Sequence, residues 1–227
     1  MTPERFQRIS RTLDRRQPDL TVIMEGVHKP HNLSAIQRSC DAVGVLELHA
    51  VAPDRPYRPR KGAASGSEKW VEVHNHADAP TAIAGLQRRG FQVLAAHLSD
   101  RAQDFRSPDY TRPTALLLGT EKYGVSEAAL ACVDGEVTIP MVGMVASLNV
   151  SVAAAVLLYE AQRQRQVAGL YDRCRLDPER YRRLLFEWGY PRLAARYRAL
   201  GLPYPALGPE GELLEPVPDA VRRRLRG

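Results

Sequence analysis

Short apolar segments alternate with helix-like segments through most of the chain, and this alternation constrains the fold more than any other feature. The predicted strands are residues 20–24, 46–51, 70–74, 91–97, 115–118 and 136–139. The predicted helices between and after them are residues 32–43 and 80–89, one that begins near residue 126, and residues 149–166. Strands that alternate with helices of this length are typical of an α/β domain. We therefore expect a largely parallel sheet flanked by helices.

Two segments are apolar enough to require burial. The predicted strand at Ala115–Leu118 has no polar alternation, so we expect it to be central and covered on both faces. The helix at 149–166 begins with Val150–Leu158, which is apolar nearly all round and requires burial in a core or against a partner subunit. That run is too short to span a bilayer, so no membrane partner is expected.

Both ends of the chain are basic. The first 19 residues form a predicted polar helix with five arginines, namely Arg5, Arg8, Arg11, Arg15 and Arg16. From Arg163 to the end, fourteen arginines accompany eight acidic residues, and this excess of +6 equals the net charge of the whole chain. Basic extensions on a neutral centre suit an enzyme that grips a polyanion. Solvated helix faces are the alternative explanation.

Three parts are predicted from these patterns. They are a basic N-terminal helix (1–19), an α/β domain (20–168) and a basic C-terminal extension (169–227) with helical pieces at 178–188 and 218–226. The three cysteines, Cys40, Cys132 and Cys174, are widely separated and lack metal-ligand spacing, which favours a reducing compartment and no structural metal. Because the first 19 residues also lack the apolar region of a signal peptide, we expect a cytoplasmic protein.

Three loops at predicted strand ends carry unusual residues: 28–34, 119–124 and 140–149. Ligands of open α/β sheets bind outside the carboxyl ends of the strands, so these loops are the candidate site. Gly119 and Gly124 have the spacing of a phosphate-binding loop, but Val125 stands where its lysine is required, and no GxGxxG follows a strand. His28 and His31 lack a third ligand of suitable spacing, so no metal is expected.

Each loop has candidate residues with a structural alternative. Asn32 can cap the 32–43 helix, and Arg38 is expected on roughly the same side, with an exposed surface arginine as the alternative. Glu121 follows a buried strand and either orients backbone amides or acts in catalysis directly. In the third loop Gly143 permits a close approach, and a plain helix cap is the alternative role for Ser147.

Taken together, the three loops resemble the ordered motifs of the SpoU family of RNA methyltransferases. The matching segments are Asn32-x5-Arg38, Leu117-Leu118-Gly119-Thr120-Glu121, and Ile139-Pro140-Met141 followed by Ser147-Leu148-Asn149-Val150-Ser151. The resemblance covers about residues 8–175. It implies S-adenosyl-L-methionine-dependent methylation of a ribose 2′-hydroxyl, and the most similar members methylate guanosine 18 in the D-loop of tRNA. Ribosomal RNA as the substrate and a non-catalytic RNA-binding protein are the alternatives, and the lack of a separate N-terminal RNA-binding domain favours tRNA.

The resemblance also implies a fold and a set of site residues. The α/β domain is expected to end in a deep trefoil knot and to form a homodimer through the 149–166 helix. Arg38 is implied to activate the 2′-hydroxyl, Asn32 to orient Arg38 and the ribose, Ser147 and Asn149 to fix phosphate and cofactor, and Glu121 to hold the cofactor loop. The implied cofactor-binding residues are Ala96, Leu98, Gly119, Ile139, Met141 and Leu148. Arg8 and His31 are expected to contact RNA.

The role of Arg38 needs a chemical adjustment. A guanidinium has a pKa above about 12 and is a poor general base. Our hypothesis is that Arg38 holds the phosphate beside the ribose, so that the phosphate or Arg38 itself shares the departing proton. Neither a metal nor a covalent enzyme intermediate is required.

Overall fold

The structure is a computed structural model that describes residues 1–52, 57, 66–120 and 122–223. The chain divides into two compact units. The larger unit is Gln17–Asp172, and the smaller one combines Met1–Arg16 with the chain from Arg173 onward. The predicted loop at 53–67 lies mostly outside the described residues.

The larger unit is built on a seven-stranded sheet in the described part of the chain. Its strands are β1 (Leu20–Glu25), β2 (Glu47–Val51), β3 (Glu72–His76), β4 (Gln92–Ala96), β5 (Gln103–Asp104), β6 (Thr114–Leu118) and β7 (Gly135–Thr138). Their order is β3-β2-β1-β6-β4-β7-β5, and every pairing is parallel. The predicted α/β class with a largely parallel sheet is therefore confirmed.

Helices cover both faces of this sheet and also form the smaller unit. They are α1 (Pro3–Asp14), α2 (Pro30–Ala42), α3 (Ala79–Arg88), α4 (Glu127–Leu130), α5 (Val150–Val167), α6 (Pro178–Gly189), α7 (Pro191–Ala199) and α8 (Asp219–Arg223). Residues Ser67–Lys69 form a 3-10 helix of one turn. Helices α2 and α5 pack in one core cluster and α3 and α4 in another.

Strand β6 lies at the centre of the sheet between these two clusters. All five of its residues are buried. Leu116 and Leu118 belong to the cluster with α2 and α5, whereas Ala115 and Leu117 belong to the cluster with α3 and α4. Because successive side chains of a strand point to opposite faces, a strand covered on both faces is apolar at nearly every position. The one polar residue, Thr114, donates its hydroxyl to the Arg112 carbonyl. This arrangement confirms the prediction for Ala115–Leu118.

Three elements differ from the sequence-based expectation. Strand β3 begins two residues later than predicted, at Glu72. The predicted loop at 100–112 contains β5, a two-residue strand too short to show a hydrophobic pattern. Helix α7 was not predicted. It begins at Pro191, separated by one residue from the end of α6, and it buries Ala194 and Tyr197.

The smaller unit joins the two ends of the sequence. The Arg5 side chain on α1 donates to the carbonyl of Trp188 at 2.9 Å, and the Arg16 guanidinium lies 5.2 Å from the centre of the Trp188 ring. An aromatic cluster of Phe186, Tyr190, Tyr197 and Tyr204 forms part of its core. By sequence this unit holds 17 arginines and 9 acidic residues, an excess of +8. Since the whole chain carries +6, the larger unit is slightly acidic.

A buried arginine fixes the C-terminal part of α5 to the sheet. Arg165 is completely buried, and its Nε donates to the carbonyl of Tyr110 at 2.8 Å. Its Nη1 donates to Gln17 Oε1 at 3.1 Å and to the Asp19 carboxylate at 2.6 Å. Its Nη2 donates to the carbonyls of Asp19 and Arg112, at 3.0 and 2.9 Å. The guanidinium thus binds the segments that lead into β1 and β6.

We expect Arg165→Met to lower the free energy of unfolding by about 3–5 kcal/mol, because the variant leaves a largely buried carboxylate and several carbonyls without their donor. The matched control is Arg163→Gln, which removes an exposed guanidinium from Glu160 on the same helix. Because Gln164 still donates to the Glu160 carboxylate at 2.9 Å, this variant should cost about 0–1 kcal/mol. Urea denaturation followed by circular dichroism, at one protein concentration, measures both. Similar losses in the two variants would contradict this role for Arg165.

Candidate active site

A cavity of about 320 Å³ lies at the carboxyl ends of β4, β6 and β7. These three strands are neighbours in the sheet, so the loops that follow them are brought together although they are distant in sequence. The lining consists of residues 96–98, 118–120 with Gly124, 137–139 with Met141, 146–148, and the first turns of α5 at Val150, Ala153 and Leu157. Most of this surface is apolar side chain and loop backbone.

The structure places all the predicted cofactor-binding residues at this cavity. The six that line it are Ala96, Leu98, Gly119, Ile139, Met141 and Leu148. Ser147 lines it as well. Sequence analysis missed His97, which also lines the cavity. Its position between Ala96 and Leu98 at the end of a predicted strand was the available signal.

The 119–124 loop is closed on itself by backbone hydrogen bonds. The amides of Thr120 and Gly124 each donate to the other residue's carbonyl at 2.9 Å, and the Tyr123 amide donates to Thr120 Oγ1 at 2.9 Å. A Cβ at position 119 would lie 2.1 Å from the Gly124 carbonyl, so only glycine fits there. Glu121 lies outside the described residues, and its role stays a prediction.

Glu25, the last residue of β1, holds the far end of this loop. Its carboxylate accepts from the amide and the hydroxyl of Ser126, at 2.9 and 2.6 Å. Ser126 in turn caps α4 through the amide of Ala129. The cavity loop is therefore tied to the sheet on one side and to a helix on the other.

Asn149 connects the first and third predicted loops. Its Oδ1 accepts from the Ser151 amide at 2.9 Å, which makes Asn149 the cap of α5, and its Nδ2 donates to Asn32 Oδ1 at 3.3 Å. The suggested capping roles of Asn32 and Ser147 are wrong. Helix α2 begins at Pro30 after Lys29, so Asn32 lies in its first turn, where it is buried.

Arg38 does not line the cavity. Its side chain is exposed on α2 and makes no hydrogen bond or ion pair with the described residues. The expectation that it shares a side with Asn32 is wrong, because six residues correspond to about 240° of rotation around a helix. His31 is exposed at the start of α2, and Arg8 is exposed on α1 in the smaller unit.

The middle of the third loop is an exposed apolar segment. Val142, Met144 and Val145 are all exposed, the first two completely. A Cβ on Gly143 would meet no described atom within 4 Å, so the predicted close approach at Gly143 is not present in the described chain. On α5, Val152 and Tyr159 are exposed as well.

Metal binding and membrane insertion receive no support from the described residues. Three histidines, His49, His74 and His76, meet on β2 and β3, and burial lowers the pKa of His49 to about 4, so it stays neutral. No group of three or more His, Cys, Asp or Glu side chains in the described ranges could hold a metal ion. Likewise, no described helix has the length and apolar character needed to cross a bilayer.

Sequence comparison identifies the family. The model of the SpoU rRNA methylase family matches residues 19–159, and that of the SpoU rRNA methylase C-terminal region matches residues 163–216. The chain belongs to the SpoU methylase family. The matched range contains every residue that lines the cavity.

Curated members of the SpoU family are similar over most of the chain. The tRNA (guanosine(18)-2′-O)-methyltransferase of Escherichia coli is 55% identical over 215 residues, which are 94% of each chain. The enzyme of the same name from Thermus thermophilus is 60% identical over 187 residues, 82% of this chain and 96% of the relative.

Solved SpoU-family structures share the fold. The TrmH/SpoU tRNA modifying enzyme of Aquifex aeolicus superposes with a TM-score of 0.78 at 42% identity, covering 83% of this chain and 96% of that one. The SpoU methyltransferase AviRb of Streptomyces viridochromogenes, solved in complex with S-adenosylmethionine, has a TM-score of 0.59 at 28% identity, covering 67% of this chain and 59% of that one.

The cavity of this SpoU-family chain could hold the same cofactor. Its volume lies at the lower end of the range of about 300–1,000 Å³ that is usual for small-molecule sites. Apolar walls such as Leu118, Ile139 and Leu157 suit an adenine ring and a methionine chain. The backbone groups of the three loops, with Thr138 and Ser147, supply hydrogen-bonding atoms for the polar parts.

We expect Gly119→Ala to weaken S-adenosylmethionine binding by more than about tenfold, because the added Cβ forces the 119–124 backbone out of the cavity wall. The control is Gly143→Ala on the neighbouring loop, where a Cβ has open space, and its affinity should stay within about twofold. Isothermal titration calorimetry on the full chain measures both. If Gly119→Ala bound S-adenosylmethionine as tightly as Gly143→Ala, the 119–124 loop would not be part of the binding site.

Proposed function

We propose that this protein transfers the methyl group of S-adenosylmethionine to the ribose 2′-hydroxyl of guanosine 18 in the D-loop of tRNA. The observation that carries the proposal is the cavity at which two of the SpoU motif loops, 119–124 and 139–149, meet residues 96–98. The curated relatives that match 82–94% of the chain are tRNA (guanosine(18)-2′-O)-methyltransferases, which favours tRNA over ribosomal RNA. The methylase family model spans all the motif residues, which favours catalysis over RNA binding alone.

The chemistry requires alignment and removal of one proton. A sulfonium methyl is already activated, so the protein's task is to place the ribose oxygen behind it. Asn32, which accepts a hydrogen bond from Asn149 at the start of α5, orients Arg38 and the ribose. Asn149 and Ser147, which lines the cavity, fix the substrate phosphate and the cofactor. Arg38 holds the phosphate beside the ribose, so that the phosphate or Arg38 itself shares the departing proton, and Glu121 holds the cofactor loop.

We also propose a homodimer. Arg38 does not line the cavity of its own chain, and our proposal is that a second copy completes the site. The exposed apolar residues Val142, Met144, Val152 and Tyr159 lie on the third loop and on α5, which makes that surface suitable for a partner. Helix α5 would pack against the second copy, as its apolar sequence suggests.

The deep trefoil knot is part of the proposal too. Residues 97–102 connect β4 to β5, and these strands flank β7 on its two sides. The segment after β7 would pass through the loop made by this crossing. The family match and the parallel order of the sheet support that topology.

RNA contact is assigned to the basic helices and to His31. Exposed arginines on α1, α6 and α7 include Arg5, Arg8, Arg11, Arg182, Arg183, Arg192 and Arg198. Such side chains neutralise backbone phosphates, so binding should weaken as salt is raised. We place the activity in the cytoplasm, where tRNA is abundant and the three free cysteines stay reduced.

The direct test is methylation of an unmodified tRNA transcript with labelled S-adenosylmethionine, followed by mapping of the 2′-O-methyl group. We expect one methyl group, at guanosine 18. A transcript with 2′-deoxyguanosine at that position lacks the acceptor hydroxyl and should stay unlabelled. Label in the deoxy transcript, or a preference for ribosomal RNA fragments, would contradict the proposal.

We expect Arg38→Ala to reduce kcat/KM by at least about 100-fold, roughly 2.7 kcal/mol of transition-state stabilisation, while affinity for S-adenosylmethionine stays within about twofold. The reason is that Arg38 lies outside the cofactor cavity of its own chain and, in this proposal, contacts the RNA phosphate and not the cofactor. Arg106→Ala, which removes another exposed arginine of the same unit, is the control and should keep full turnover. Retained turnover in Arg38→Ala would remove Arg38 from the mechanism.

A further inference from the structure

A short connection crosses β7 beside the cofactor cavity. Residues 97–102 join β4 to β5, which pair with β7 on its two sides. In the register of the sheet, Val137 of β7 pairs with Ala96 of β4 on one side and with Gln103 of β5 on the other. The six connecting residues must therefore pass over β7. The first two of them, His97 and Leu98, line the cavity.

Glu136 of β7 binds this connection through two side chains. Ser99 Oγ donates to Glu136 Oε2 at 2.5 Å, and Arg101 Nη2 donates to Oε1 at 2.6 Å. Glu136 is only 7% exposed, so its carboxylate needs these partners. Its neighbour Val137 points into the core cluster of α2 and α5, so Glu136 points to the opposite face of the sheet.

Backbone hydrogen bonds hold the two ends of the same connection. The His97 amide donates to the Val137 carbonyl at 3.1 Å, and the Ala102 amide donates to the Ser99 carbonyl at 3.2 Å. The Arg101 amide also donates to Ser99 Oγ at 3.2 Å. Between these points, Leu98 is 67% exposed, so hydrophobic burial does little to fix it.

We propose that Glu136, acting through Ser99 and Arg101, is a positioning residue for the cofactor. It holds the 97–101 segment against β7 and thereby sets where His97 and Leu98 face the cavity. This inference rests on the proposed function only in taking S-adenosylmethionine as the ligand. Glu136 does not line the cavity itself. It contacts Ser99 and Arg101, which follow the lining residues His97 and Leu98 in the same connection.

The proposed role can be separated from a structural one. Strand β7 is paired with β4 and β5 through backbone groups, which a side-chain substitution leaves in place. Arg101 is 79% exposed in its side chain, so its replacement opens no cavity in the core. Loss of the contact should therefore be seen in ligand affinity more than in stability.

The test uses Glu136→Gln, Arg101→Gln and the double variant of the full chain. Calorimetric titration with S-adenosylmethionine, without RNA, should give each single variant an affinity about tenfold lower than that of the parent. If both residues act through one contact, the double variant should have about the same affinity for S-adenosylmethionine as the single variant that binds it less tightly. Arg106→Gln, which removes an exposed arginine paired with Asp104 on the surface, is the matched control and should bind normally.

Steady-state kinetics give the second measurement. The KM for S-adenosylmethionine should rise about tenfold in both single variants, whereas kcat at saturating cofactor should stay within about twofold. Normal affinity in Glu136→Gln and Arg101→Gln, or a fall in kcat with unchanged KM, would overturn this inference and leave the proposed function unaffected. If the parent chain failed to bind S-adenosylmethionine, the proposed function would fail together with it.

Discussion

Parallel pairing of β6, β4 and β7 is the constraint on which the candidate site depends. Because the three strands run in the same direction and lie side by side, the loops after them emerge at one edge of the sheet. The segment after β4 supplies residues 96–98, the loop after β6 supplies Gly119, Thr120 and Gly124, and the segment after β7 supplies Ile139, Met141 and residues 146–148. A reversal of any of these strands would send its loop to the other edge.

Helix α5 closes this edge, and both of its ends are fixed by polar side chains. At its start, Asn149 caps the helix and binds Asn32 on α2. Near its end, the buried guanidinium of Arg165 binds Asp19 and the backbone ahead of β1 and β6. Because both ends of α5 are held, Val150 and Ala153 have a defined position in the cavity wall. Methyl transfer requires such a fixed site, since the donor and the acceptor must be aligned.

Hydrophobic runs predicted the sheet class and the central strand, whereas six of the residues that line the cavity were implied by the resemblance of the motifs to the SpoU family. Neither the runs nor the motifs predicted contacts that arise only when distant segments meet. In the sequence, Glu136 looks like any polar residue in a strand. Its contacts with Ser99 and Arg101 could not be predicted, because they form only when β7 pairs in parallel with β4 and β5. The close approach belongs to Gly119 instead of Gly143 because the 119–124 loop folds back on itself.

The central claim is that the three loops form one binding site for S-adenosylmethionine. Amide hydrogen exchange with and without the cofactor tests it most directly, because a bound ligand slows exchange most in the segments it contacts. The account predicts slower exchange in residues 96–98, 119–124 and 139–148 together, with little change in β3 at the far edge of the sheet. Protection confined to one of these loops, or found mainly outside them, would contradict it.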